Sequence, residues 1–326
     1  MNLDGANTEA FLRYHRFHER FSGSVRLQTM GLSLLADEVE SGRSADELYE
    51  RFSKRGWLWG GMPDWREPMQ LIAGARREIG QAGVVRAFSA FDVFFSDLEA
   101  DLERWRVFRG NKKPGDDAAD LDEEGFADPA KVLYRRVGGR TSGFDDFLLP
   151  LYQYFRRARN CIAHRDGIAS AALVSDSSSE GIVASLKAWR SRTGEMTQPE
   201  LIPVQVGTPI EFTHKQAIAC SSILRLVAKD ISSHAVQRLG RAGMVYLAAR
   251  RLLWEELPLI DLSVHNSASA AVGHLLDTRY RAGGFEQHEI QRSLRELGFT
   301  TECNKRFQRL RERLPTEGSS KHLSDA

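Results

Sequence analysis

At 326 residues with 42% hydrophobic content, the chain is long enough to bury one large core or two ordinary ones without covalent staples. Lys+Arg number 45 against 44 Asp+Glu, a formal net charge of +1, which excludes a global electrostatic pull toward nucleic acid or membrane; any such binding must come from a local patch. The three cysteines, Cys161, Cys220 and Cys303, are odd in number, far apart and without a C-x-x-C pair, which argues against a disulfide framework and a zinc cluster and for a reducing compartment.

The N-terminal stretch has acidic and polar residues where a signal peptide needs a basic start and an apolar run, and no apolar stretch reaches the ~18 residues of a membrane span. The expectation is a soluble, cytoplasmic protein with no membrane partner. Residues 8–40 carry Phe11, Tyr14, Phe17 and Phe21, then Leu27, Met30, Leu32 and Leu35, at helical spacing; Ser22-Gly23 interrupts them and Ser41-Gly42 ends them, which predicts two helices. A shorter helix at 45–54 leads into Trp57-Leu58-Trp59-Gly60-Gly61-Met62-Pro63, a loop or joint. Residues 67–108 form the longest periodic stretch, and a break near Gly80–Gly83 predicts two helices there as well. The loop Gly110–Pro114 is followed by seven carboxylates between Asp116 and Asp128, whose spacing matches no calcium loop and reads as a solvated acidic run.

Helical signals return at 144–165, where Pro150 either kinks the helix or starts a second one in its first turn, and Gly167 stops it. Alternating stretches at 181–190 and 201–212, separated by Arg192-Thr193-Gly194, predict a small β-hairpin. A helix follows at 213–238, with Thr213 placed to cap it, and more helices at 239–315 include 243–256 and 286–296. The order 286–296, Gly298, 302–313 has the look of a helix-turn-helix with Lys305, Arg306, Arg309, Arg311 and Arg313 on its second helix, although a basic surface helix is the commoner explanation. The expected architecture is mainly α: an N-terminal helical region (1–62), a helical bundle with the hairpin (63–238), a C-terminal helical region (239–315) and a disordered tail (316–326).

The chemistry concentrates in Tyr154-Phe155-Arg156-Arg157-Ala158-Arg159-Asn160-Cys161-Ile162-Ala163-His164-Arg165. At 100° per residue Arg156, Asn160 and His164 form one stripe, and Arg159 lies off it but can bend toward it. An imidazole that titrates near neutrality, a guanidinium that stays charged and a carboxamide suit RNA transesterification: His164 moves a proton, Arg159 stabilises the phosphorane, and Asn160 holds the imidazole or a phosphate oxygen. No metal and no cofactor is required, and the site supplies one ordinary metal ligand. Arg156, Arg157 and Arg165 either track the RNA backbone or form ion pairs with Asp145, Asp146 or the acidic run.

The segment Arg159-Asn160-Cys161-Ile162-Ala163-His164, near the end of an amphipathic helix, resembles the R-N-x-x-x-H signature of the HEPN superfamily, with four residues between arginine and histidine. The likeness covers roughly residues 68–235. It implies a helical bundle that forms a homodimer, with two such helices building one composite cleft. It further implies metal-independent endoribonuclease activity on an RNA substrate, in toxin or antiphage-defence systems, where an inhibitory or activating protein partner also occurs. The competing reading is a non-catalytic module for RNA binding, dimerisation or scaffolding.

The remaining signals are weaker. Cys161 reads as a packing residue rather than a nucleophile, and His15 and His18 are half a metal site with no partner in sequence. The pairs Gly60-Gly61, Gly138-Gly139 and Gly283-Gly284 fit no nucleotide-binding loop, and no serine sits in a G-x-S-x-G context.

Overall fold

The apolar spacing of residues 8–40 resolves into a single helix, α1 (Glu9–Glu40), rather than two. Gly23 faces open space, with nothing within 4 Å of where a Cβ would sit, and an internal glycine costs only about 1 kcal/mol. Burial of Phe21 and Val25 against Ala217 outweighs that cost. This computed structural model describes residues 3, 5–54, 66–110, 129–137, 147–194, 198–254 and 265–312. The Trp57–Pro63 joint, the loop 111–114, the acidic run, Gly138-Gly139, Asp145, Asp146 and the tail lie outside the described residues.

Ser44 and Glu47 cap each other's backbone at 3.3 and 3.0 Å to start α2 (Ala45–Ser53). The expected break at Gly80–Gly83 is absent, and α3 runs unbroken over Pro68–Phe108. Those glycines are points of close approach instead: a Cβ on Gly80 would lie 2.3 Å from the carbonyl oxygen of Phe212, and one on Gly83 would lie 2.6 Å from Cβ of Ala217. The short α4 (Pro129–Arg136) precedes α5 (Leu149–His164), whose Pro150 sits in the first turn, so the proline starts a helix and kinks none. Next come α6 (Ala171–Ser177), capped by Ser170, and α7 (Glu180–Thr193).

The β-hairpin is not present among the described residues. Residues 181–190 belong to α7, which Ser179 opens by accepting the Ile182 amide at 3.3 Å and Gly194 closes in the left-handed region at φ 71°. Its buried residues Ile182, Ser185 and Trp189 are spaced 3 and 4 apart, a helical period that the apparent alternation concealed. Residues 201–212 form no strand either. They hold no regular element, turn at residues 206–207, and join Ile168, just after α5, through an isolated antiparallel bridge from Pro209.

The 41-residue α8 (His214–Trp254) opens with Thr213 accepting the Lys215 amide at 3.3 Å. Gly240 interrupts it with φ 61° and ψ −174°, where the sequence predicted a break between 238 and 243. The chain ends in α9 (Ala268–Tyr280), α10 (Gln287–Glu296) and α11 (Thr300–Glu312). The described residues fall into two compact units, one drawn from 14–93 and 141–228 and the other from 1–13, 94–140 and 229–326. In the first, Phe88, Phe91, Leu151, Tyr152, Phe155 and Phe212 are buried. In the second, Met244, Val245, Leu252, Val272, Leu276, Phe307 and Leu310 belong to one continuous core. No helix among the described residues is long and apolar enough to cross a membrane.

Candidate functional site

Two faces of opposite chemistry make α5 a platform. Leu151, Tyr152, Tyr154, Phe155, Ala158 and Cys161 are buried. Tyr152 packs 6.1 Å from the rings of both Phe88 and Phe91, and Phe155 packs 6.0 Å from Phe212. Each such ring contributes about 1.5–3 kcal/mol by leaving water, so the helix is held along its length. Tyr154 donates its hydroxyl to the Ile202 carbonyl at 3.3 Å, and burial raises its phenol pKa above the usual value.

The end of the helix is fixed as firmly. The amides of Arg165 and Gly167 both donate to the Cys161 carbonyl, at 3.0 and 3.1 Å. Gly167 takes φ 73°, and a Cβ there would stand 2.9 Å from Nε2 of Gln81, which itself donates to the Ile210 carbonyl at 2.9 Å. Ala169 donates to the Thr208 carbonyl and Ile210 to that of Gly167, at 2.9 and 2.8 Å, so the segment 208–210 braces the turn that follows His164. His164 and Arg165 themselves are exposed, and Arg159 and Asn160 are half-buried.

On this platform the structure brings Arg159, Asn160 and His164 together. Nη1 of Arg159 donates to Oδ1 of Asn160 at 3.2 Å and approaches Nε2 of His164 at 3.4 Å. A guanidinium only donates, so in this contact Nε2 of His164 stands as the acceptor. The carboxamide therefore orients the guanidinium rather than the imidazole. Asp92, on α3, was not singled out from the sequence. Partial burial raises its carboxyl pKa, and the positive charge of Arg159 opposes that rise. No local pattern marks Asp92, because it lies 67 positions before Arg159 and only the packing of α3 beside α5 joins them.

The flanking arginines divide. Nε of Arg157 pairs with Oδ2 of Asp176 at 3.0 Å, with both side chains about 20% exposed, so this guanidinium is committed to holding α6 against α5. Arg156 is half-buried, whereas Arg165 is exposed at the helix end. Cys161 is buried on the packed face and cannot act as a nucleophile toward solvent.

His15 and His18 do not converge on a common point. His15 faces Glu19 at 3.5 Å, while Nδ1 of His18 bonds to the Ser221 hydroxyl at 2.8 Å. Burial first, then the charge of Arg225, push the His18 pKa down to about 4, so it stays neutral at physiological pH. Among the described residues, no three His, Cys, Asp or Glu side chains gather to hold a metal ion.

The second unit has a polar cleft of about 290 Å³ walled by Glu9, Arg13, Asp97, Asp101, Arg104 and Arg250 among others. Burial pushes Asp101 up to about 6 despite the Arg104 guanidinium 2.9 Å away. A carboxyl whose folded pKa exceeds its unfolded value costs nothing below about pH 4 and destabilises increasingly as pH rises through 6. Asp101→Asn is therefore expected to stabilise the fold by about 2 kcal/mol at pH 7.5 and to change little at pH 4. Denaturant unfolding at the two pH values checks this, and equal effects at both would contradict it.

No family model, no curated protein and no solved structure matches this chain.

Proposed function

We propose that the chain is a metal-independent endoribonuclease of the HEPN type that cleaves RNA by attack of the 2′-hydroxyl on the adjacent phosphodiester. One observation carries the reading: the Arg159 guanidinium and the His164 imidazole converge on the solvent side of α5. Nε2 of His164, once the substrate phosphate has drawn the Arg159 guanidinium away from it, takes the 2′-hydroxyl proton. The 2′-oxygen then bonds to phosphorus, and the developing charge on the non-bridging oxygens falls to Arg159, held in aim by Asn160. The 5′-oxygen leaves and takes a proton, so the products are a 2′,3′-cyclic phosphate and a 5′-hydroxyl. A second protomer facing the first supplies the other half of the cleft and a second His164 as the acid.

Exposed Arg165, with Arg156, follows the RNA backbone. The reading places the activity in the cytoplasm as a toxin or defence effector, restrained or triggered by a protein partner, with the domain spanning residues 63–238. Sequencing of RNA ends after controlled expression of wild type and His164→Ala tests it. Wild type should leave new cyclic-phosphate ends that the variant lacks, and identical end profiles would end the proposal. Cleavage should also survive excess chelator, because every group in the scheme is a side chain. Loss of activity with EDTA that added magnesium restores would contradict it.

A non-catalytic module for RNA binding or dimerisation is favoured by one feature. The 3.4 Å contact places an Arg159 donor on the lone pair that a general base must keep open. On the nuclease reading a substrate phosphate draws the guanidinium away and frees Nε2. Equal cellular toxicity of wild type, Arg159→Ala and His164→Ala would favour the module.

A further inference from the structure

The last three helices pack together within the core of the second unit. α9 packs against both α10 and α11, and these two pack against each other. Only Leu297, Gly298 and Phe299 separate α10 from α11. The turn is a complete Schellman closure: the Phe299 amide donates to the Leu294 carbonyl at 2.8 Å and the Gly298 amide to that of Arg295 at 3.0 Å, with Gly298 at φ 74°. Phe299 is wedged against Tyr246 and Phe108, with ring centroids 5.8 and 5.4 Å away, which anchors the start of α11. A capping box of Glu286 and Glu289 fixes the start of α10. Both helices are thereby locked in direction by a three-residue turn, the construction that presents a second helix to a nucleic-acid groove.

The outward face of α11 has the chemistry that such a groove needs. Cys303, Phe307 and Leu310 form the buried seam. On the opposite side Thr301, Asn304, Lys305, Gln308 and Arg309 are all exposed, spaced so that they share one face. Amides and hydroxyls make directional bonds to base edges, and lysine and arginine reach phosphates or guanine. Glu302 stands at the flank and Glu312 at the far end, so no carboxylate interrupts the middle of the face. On α10, Arg292 and Arg295 are exposed, as is Glu296.

We infer that α10 and α11 bind duplex DNA, with α11 in the major groove, Thr301, Asn304 and Gln308 toward the bases and Lys305 and Arg309 on the flanking phosphates. The 13 residues of α11 span about 20 Å, enough to lie along the groove. Duplex RNA does not fit, because its major groove is too narrow to admit a helix. This site is separate from the α5 platform and does not depend on RNA cleavage.

Fluorescence anisotropy of the full chain with a labelled 30-base-pair DNA of random sequence, alongside a duplex RNA of the same length, tests the inference. DNA binding should weaken steeply with salt. Lys305→Ala with Arg309→Ala should reduce affinity at least ~10-fold and flatten the log–log salt slope by about 2, one unit per lost phosphate contact. Lys187→Ala with Lys229→Ala, which removes two exposed cations elsewhere, should leave binding unchanged. Selection from a random DNA pool should enrich a motif that shifts in Gln308→Ala. Absence of DNA binding at low salt, equal loss in the control variant, or tighter binding of the RNA duplex overturns the assignment. All the substituted side chains are exposed, and a thermal melt of each variant confirms that it folds.

Discussion

Replacing His164 by alanine should lower RNA cleavage by about 10²–10⁴-fold, the range that a positioned acid or base contributes, and leave the melting temperature unchanged within about 2 °C. The stability half of this expectation follows from the surroundings. His164 is exposed in the last turn of α5, where its side chain meets the long 3.4 Å approach of Arg159. Truncation leaves that guanidinium hydrogen-bonded to Asn160 at 3.2 Å, so no buried donor is orphaned. Arg159→Lys sharpens the test. Lysine keeps the charge but loses the planar fork that grips two phosphate oxygens, and a drop of about 10²-fold in single-turnover cleavage with intact folding is expected. Retention of full activity in either variant would remove the proposed chemistry, since neither change disturbs the platform beneath it.

That separation between a rigid platform and a replaceable polar face explains what could be read from the sequence. The predominance of helix was legible wherever apolar residues repeat at 3 and 4, as in α5, and so was the stop at Gly167. The stripe of Arg156, Asn160 and His164 follows from helical geometry alone, and the reach of Arg159 toward it needs only a long side chain. What failed was punctuation.

Glycines at 80 and 83 read as a break because sequence reveals the cost of a glycine in a helix but not the neighbour that makes a side chain impossible there. Residues 181–190 read as a strand because the caps at Ser179 and Gly194, which define α7, weigh less to the eye than a run of alternating polarity. The commitment of Arg157 to Asp176, and the proximity of Asp92 to Arg159, come from tertiary packing and have no local signature. The brace of residues 205–210 on the turn after His164 is likewise a long-range pairing that a hairpin assignment gave to the wrong partner.

Gly80→Ala should be the most damaging single methyl among the described glycines. The added Cβ would sit 2.3 Å from the carbonyl oxygen of Phe212, 2.5 Å from its carbonyl carbon and 2.8 Å from the Thr213 amide nitrogen. All three atoms are backbone, so no side-chain rotation relieves the clash, and either α3 or the segment 210–213 must move. That segment includes Phe212, fully buried against Phe155, and Ile210, which bonds to Gly167 and accepts from Gln81. Displacement therefore loosens the brace behind His164 as well as the core.

Overpacking typically costs about 1–3 kcal/mol, and a backbone clash belongs at or beyond the upper end, which corresponds to a fall of roughly 5–10 °C in melting temperature. Gly74→Ala on the same helix is the matched control. No atom lies within 4 Å of its added Cβ, and alanine in place of an internal helical glycine is worth about 0.5–1 kcal/mol of stabilisation. The two substitutions, chemically identical and six residues apart in α3, should thus shift the thermal midpoint in opposite directions. Comparable stability of both variants would mean that α3 and the segment before α8 are not in contact at Gly80, and that the turn carrying His164 is held by something other than that packing.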